Sequence, residues 1–425
     1  MLSHKSAGGR LLSLCSIRKP CGRIPFFTVS LHPCPAHSRA YRCRCGRPVF
    51  LRNTQCVNCG SQLGYETSRL TMAALVPGPA PDLWWLADDT DGPLYRCCVN
   101  RQSAAACNWL IRVEAGEVPN GAGVERHCLA CSLNRQMFDV SQPRNWHRWR
   151  ELEAAKRRLL SQLLALRLPV ERRTGATPGI AFDMLEQLPQ GKPVLTGHHD
   201  GVITLNVAEA DDAQREAIRA AMHEPYRTLL GHFRHEVGHF YWDRLVRDDP
   251  DRLVQFRALF GDERADYGKA LQKHYRDGPP YGWALTYVSS YASTHPWEDW
   301  AETWAHYLHI TDTVDTASSF RIDTDQAETQ SDPFEAKHLW QADLPGADAF
   351  LDLLNAWVRL TQVMNELARS MGQQDGYPFI LPYRAVAKLQ FIHEAIRQWR
   401  HMASRPTSAA VAEPTPTGEL LPDHS

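Results

Sequence analysis

Four cysteines fall within the run YRCRCGRPVFLRNTQCVNC, and no other feature narrows the folds open to this chain as much. Cys43 and Cys45 are separated by ten residues from Cys56 and Cys59, so the run offers two knuckles and four thiolates, the donor set of a tetrahedral structural zinc. The first knuckle is C-x-C, a tighter chelate than the commoner C-x-x-C. Cys98, Cys107, Cys128 and Cys131 supply a second set, in which Cys97 could replace Cys98 and His127 could replace a thiolate. Nine of the twelve cysteines lie between residues 41 and 140, among Gly, Pro and short apolar runs suited to hairpins and loops held by metal. Closely spaced pairs favour metal over disulfides, and a reducing cytoplasm is the compartment expected for them. Cys15, Cys21 and Cys34 belong to neither set and are expected to be free thiols.

The length of 425 residues leaves room for two or three domains, and 43% hydrophobic with 22% charged residues is a globular composition. Forty-seven basic residues nearly balance forty-eight acidic ones, which excludes a global field drawing the chain to nucleic acid or to an anionic membrane. Any such binding must come from a local patch, for which Arg42, Arg44, Arg47 and Arg52 around the first cysteine set are the candidates. No stretch approaches the roughly 18 uninterrupted apolar residues of a membrane span. Residues 1–40 are basic, with an apolar run, LLSLC, too brief for a secretory signal. They read as a disordered extension, an overextended reading frame or a weak signal or anchor peptide being the alternatives.

The predicted fold class is α+β: a small β-rich zinc-ribbon domain over 41–140, followed by a mostly helical domain with a small sheet over 176–402. Between them, NWHRWRELEAAKRRLLSQLLALRL has helical period and dense i to i+4 charges, and is expected to be a linker helix within 141–175. GIAFDMLE, PVLTG and GVITLNV read as strands, the last two joined in a hairpin by the turn HHDG. Helical periods follow over Pro225–Val246, Glu263–Tyr275, Pro296–Ile310, Ala347–Ser370 and Pro382–His401. Residues 403–425 form a Pro/Thr/Ala-rich tail expected to be disordered.

The chemistry concentrates in HEVGH. On a helix, residues four apart share a face, so His235 and His239 can present two imidazoles to one ion while Glu236 reaches a water beside it. HEPYR from His223 and HEAIR from His393 also begin His-Glu but lack the second histidine. His232 shares the side of His235 and reads as a partner or surface residue. A catalytic zinc keeps three protein ligands and one open position. Two carboxylate clusters compete for the third place: Glu263 and Asp266 in GDERADY, and Glu298 and Glu302 in HPWEDWAETWAHYLH. First-turn acids need only complement the helix dipole, with Asp262 as a ready cap, so that reading suffices for the first cluster. The second helix is apolar nearly all round, and buried carboxylates need a partner. Glu298 is therefore expected to bind the metal and Glu302 to hold a ligand histidine in its tautomer.

SSYASTHPWEDWAE resembles the corresponding segment of the gluzincin metallopeptidases of lethal-factor type, with a tyrosine seven residues before the ligand glutamate. The resemblance implies Tyr291 as hydrogen-bond donor to the developing oxyanion, Glu298 as ligand and Glu302 behind it. Over residues 41–400 the motifs LGY, CNWL, HEVGHFYW, FGDERADY and HPWEDWAETWAHYLHI resemble a family of bacterial zinc-binding metallopeptidases that join a zinc ribbon to such a domain. It implies one catalytic and two structural zinc ions and a peptide or protein substrate. The expected reaction is metal-assisted amide hydrolysis with Glu236 as general base, an extended substrate pairing with the edge of GVITLNV. The rival expectation is a nucleic-acid- or protein-binding protein whose peptidase-like domain is noncatalytic, marked by binding that declines steeply with salt.

Overall fold

The computed structural model describes residues 38–114, 124–175, 178–188, 190–191, 193–221 and 224–403. The segments expected to be disordered, with Cys15, Cys21 and Cys34, lie outside the described residues for all but a few positions.

The first third is β-rich. Strands β1 (Tyr41–Arg42) and β2 (Pro48–Val49) make a short antiparallel hairpin beside the first cysteine set. β3 (Leu63–Glu66), β4 (Thr71–Pro77), β5 (Leu83–Leu86), β6 (Tyr95–Cys97) and β7 (Leu110–Arg112) pair in that order, each antiparallel to the next. Tyr65 and Trp109 are fully buried with ring centroids 5.0 Å apart, and they anchor the ribbon's end of the main apolar core.

A short helix α1 (Leu129–Ser132) then leads into β8 (Asn134–Met137), which leaves the ribbon and runs parallel to β9 (Ala181–Leu185). Between them α2 (Trp146–Ala165) is a core element rather than the expected linker. Leu152, Leu159, Leu160 and Leu163 are fully buried, and so are Glu153 and Lys156, two of the charges that marked the expected linker. Those charges satisfy each other: Lys156 Nζ is 2.8 Å from Glu153 Oε1, which also accepts from Asn134 Nδ2 at 2.8 Å. A buried pair persists only when its remaining hydrogen bonds are met, and β8 meets one of them.

β10 (Gly197–His199) and β11 (Val202–Asn206) complete a sheet of order β10-β11-β9-β8, with β10 antiparallel to the other three. The hairpin differs in register from the expectation, because Asp200 and Gly201 both take positive φ, 46° and 76°, the geometry of a two-residue turn that matches strand twist. His198 and His199, read as turn residues, are therefore strand residues. GVITLNV is paired on both sides, so the outer edge on this side of the sheet belongs to β10 and not to β11.

The remainder is helical: α3 (Asp212–Ala221), α4 (Leu229–Trp242), α5 (Pro250–Phe260), α6 (Tyr267–Asp277), α7 (Pro296–Ser319), α8 (Ala347–Ser370) and α9 (Tyr383–Ala403). α4 starts four residues later than the proline suggested, because Thr228 accepts from Gly231 N and caps it, and it passes into a wide π turn over Asp243–Arg247. α6 begins after Asp266, which accepts from Lys269 N, and not at Glu263. α7 runs to Ser319, beyond the expected Ile310, because its inward face stays apolar through Val314 and Ala317. One continuous apolar core joins the ribbon, α2, the sheet and the helices, with α4 and α7 packed against each other at its centre.

Candidate metal centre

The pairing of α4 with α7 sets the geometry. Gly238 makes it close: a Cβ there would stand 3.1 Å from Trp304 and 3.2 Å from the Ala301 backbone. Its carbonyl accepts from the buried Trp300 indole at 2.8 Å. The contact brings the first turn of α7 over the middle of α4, and Glu298 over His235 and His239.

Glu298 Oε2 lies 3.0 Å from His235 Nε2 and 3.7 Å from His239 Nε2, and one donor atom of each residue falls within 4.8 Å of the others. This oxygen is buried yet has no well-directed hydrogen bond. An orphaned carboxylate oxygen facing two imidazole nitrogens is a donor set suited to a zinc ion, two nitrogens and one oxygen with a fourth position open. Behind it, Glu302 Oε1 is 2.6 Å from His235 Nδ1, and Ser289 donates to Glu302 Oε2 at 2.6 Å. A proton on Nδ1 leaves the Nε2 lone pair for an ion. On the opposite side Tyr267 donates to Glu298 Oε1 at 2.8 Å.

Three buried carboxyls share this volume and differ in affinity for a proton. Burial pushes Glu236 up to about 7, with Glu298 and Glu302 adding to the rise against His235. Burial also raises Glu298, but His239, His235 and the Tyr267 hydroxyl outweigh it and hold this carboxylate at about 2. Glu302 is lowered as well, His235 and Ser289 overcoming burial. Burial lowers His239 to about 3 and keeps it neutral, as a metal ligand must be. Tyr291 packs its ring 6.0 Å from that of His235, and burial and the nearby carboxylate keep its hydroxyl protonated. His198, on the edge strand, stacks on His239 at 6.2 Å, and the Trp297 ring lies 4.2 Å from His239.

The structure thus brings His235, Glu236, His239, Tyr291, Glu298 and Glu302 into one site. It disposes of the rival carboxylates: Glu263 pairs with Arg257, and Asp266 caps α6. Sequence reasoning missed Tyr267 and Ser289. FGDERADY contains the first, but no local spacing links it to a glutamate thirty-one residues on.

Both cysteine sets also converge. Cys43, Cys45, Cys56 and Cys59 form one group and Cys98, Cys107, Cys128 and Cys131 the other, with sulfurs as close as 3.6 Å in the first and 3.5 Å in the second. The second group uses Cys98, while Cys97 ends β6 and packs against a separate small apolar cluster, and His127 sits at the surface by Glu125. Hydrogen bonds with Ser61 lower Cys59 to about 6, toward the thiolate a metal requires. Arg42, Arg44, Arg47 and Arg52 are exposed around the first group. No helix among the described residues is long and apolar enough to cross a membrane.

Residues 40–142 match a zinc-ribbon domain family, and residues 145–395 match the family described as "Putative zinc-binding metallo-peptidase". Uncharacterized proteins of Mycobacterium bovis and of two Mycobacterium tuberculosis strains are each 41% identical over 360 residues, covering 84% of this chain and 95% of the relative. No solved structure matches. With more than half of its length inside that family's match and its donor set built from the same stretch, the chain belongs to the zinc-binding metallo-peptidase family, carrying a zinc-ribbon domain ahead of it.

Proposed function

We propose that the protein is a zinc-dependent peptidase that hydrolyses peptide bonds where α4 and α7 meet beside the sheet edge. The observation that carries this reading is the convergence of His235 Nε2, His239 Nε2 and Glu298 Oε2 beside a buried Glu236 whose carboxyl is raised to about 7. A zinc ion held by those three residues would supply a Lewis acid and an acidified water. Glu236 takes the proton from the attacking water and returns it to the leaving amine, which its raised affinity suits near neutral pH. Tyr291, kept protonated, donates to the oxygen that gains charge. Glu302 fixes the His235 tautomer and is itself fixed by Ser289. The outer edge of β10, which pairs with no further strand among the described residues, offers main-chain groups to an extended peptide, the role the sequence suggested for GVITLNV. The two cysteine groups would each hold a structural zinc, and a reducing, cytoplasmic compartment suits their thiolates.

The test is peptide hydrolysis by the intact chain against a Glu236→Gln variant. Loss of about 10²–10⁴-fold in kcat with zinc content unchanged is the expected result. Retained hydrolysis in that variant sinks the assignment.

A further inference from the structure

Tyr267 is the first residue of α6, a helix none of whose side chains is buried, yet its hydroxyl reaches a carboxylate at the centre of the fold. Two contacts, both made by His295, place it. His295, itself buried, accepts from Trp297 N through Nδ1 at 3.1 Å and donates from Nε2 to Ala265 O at 3.0 Å, pinning the turn just before α6 to the start of α7. The Tyr267 ring then meets the His295 ring edge-on at 5.3 Å. The delivery of the hydroxyl is therefore built into the fold.

Glu298 needs such a partner. It is the third residue of α7, where a glutamate commonly turns back to bond the N-cap amide. Here the cap acceptor is the His295 imidazole, and Oε1 of Glu298 is taken by Tyr267 instead. That leaves Oε2 alone toward His235 and His239. A hydrogen bond to an ionised acceptor is stronger than one to a neutral acceptor, and here it engages Oε1.

We propose that Tyr267 is a positioning residue for the metal ligand Glu298, holding one carboxylate oxygen so that the other is offered to the ion. The inference rests on the reading that His235, His239 and Glu298 hold zinc, and it does not depend on peptide cleavage. Partners of this kind are worth 10- to 100-fold in metal affinity elsewhere.

The experiment is chelator competition at neutral pH on the zinc-loaded full chain, following the ion that is lost when His235 and His239 are replaced by alanine. Tyr267→Phe keeps the ring and its packing and removes only the hydroxyl. It is expected to weaken retention of that ion about 10-fold or more, with the cysteine-held zinc and the far-ultraviolet circular dichroism unchanged. Retention equal to wild type overturns the proposal. Should the variant misfold, X-ray absorption at the zinc edge of the wild-type protein decides. One carboxylate oxygen at the histidine-held ion upholds it, and two overturn it. A chain that cleaves no peptide but loses zinc more readily as Tyr267→Phe upholds the inference while removing the peptidase reading.

Discussion

Glu236 and Glu298 are both buried in the same small volume, yet one is raised to about 7 and the other is held at about 2. Burial acts the same way on both, so the partners decide. Glu298 faces two imidazoles and a phenol, whereas Glu236 has one imidazole and two carboxylates around it. Two carboxyls separated in proton affinity by their surroundings can take different roles, one as ligand and one as base. Tyr291 has no such ambiguity, because its hydroxyl stays protonated and so has the proton that donation to developing negative charge in the proposed reaction would need. Tyr291→Phe is expected to lower kcat about 10²- to 10³-fold and leave KM nearly unchanged, the pattern of an interaction made in the transition state. Equal falls in affinity and turnover in steady-state kinetics would give it a binding role instead. At this scale the sequence was legible wherever helical spacing brings side chains together. His235, Glu236 and His239 are one turn of α4, and Glu298 and Glu302 one turn of α7. Tyr267 and Ser289 act through contacts across thirty-one and thirteen residues, which no periodicity encodes.

The element that aligns these residues is the α4–α7 pair, and Gly238 is where its spacing is set. Replacing Gly238 by alanine has two opposed effects. The helix gains about 1 kcal/mol of intrinsic propensity, while the new methyl meets Trp304 and the Ala301 backbone. Overpacking of this kind costs about 1–3 kcal/mol, and a backbone neighbour cannot swing aside as a flexible side chain could. The clash is expected to win, lowering stability by on the order of 1 kcal/mol in denaturant unfolding and weakening retention of the histidine-held zinc. A stabilised variant would show that the helices part without cost. Element types were readable from the sequence, and their limits and neighbours less so. α8 runs where its period places it, but the Asp200–Gly201 turn moves the hairpin register, and the dense charges of α2 mark a linker although several of them are buried. Burial of Glu153 with Lys156 depends on Asn134 of β8, a tertiary fact absent from the local pattern.

At the scale of the whole molecule, the ribbon and the helical domain share one ionic hub. Asp312 of α7 is met by Arg39, at the entry to the ribbon, at 2.9 Å, by Arg158 of α2 at 2.7 Å and by Arg234, the residue before His235, at 2.8 Å. Such a hub ties the metal helices to the ribbon, so the protein is expected to unfold as a connected body rather than as independent pieces. Its response to acid then reads the buried histidines. Burial lowers His232, His306 and His393 each to about 4, against about 6.5 in an unfolded chain. Between these values the unfolded state binds the proton and the folded state does not, so stability rises with pH and falls as pH drops from about 6.5 toward 4. Asp315, raised by burial to about 6, opposes this, because its folded form takes the proton first. The total is thus a difference, and one histidine must be isolated. His393 suits this, since it lies away from the metal centre, and its hydrogen-bond partner among the described residues is Tyr307 Oη at 3.0 Å. Between pH 7 and pH 5 the zinc-loaded wild type is expected to lose on the order of 1–2 kcal/mol more than a His393→Gln variant in denaturant unfolding. Parallel losses in the two proteins would mean that His393 takes up its proton in the folded state, and that the core around α7 and α9 admits a charge its packing should refuse.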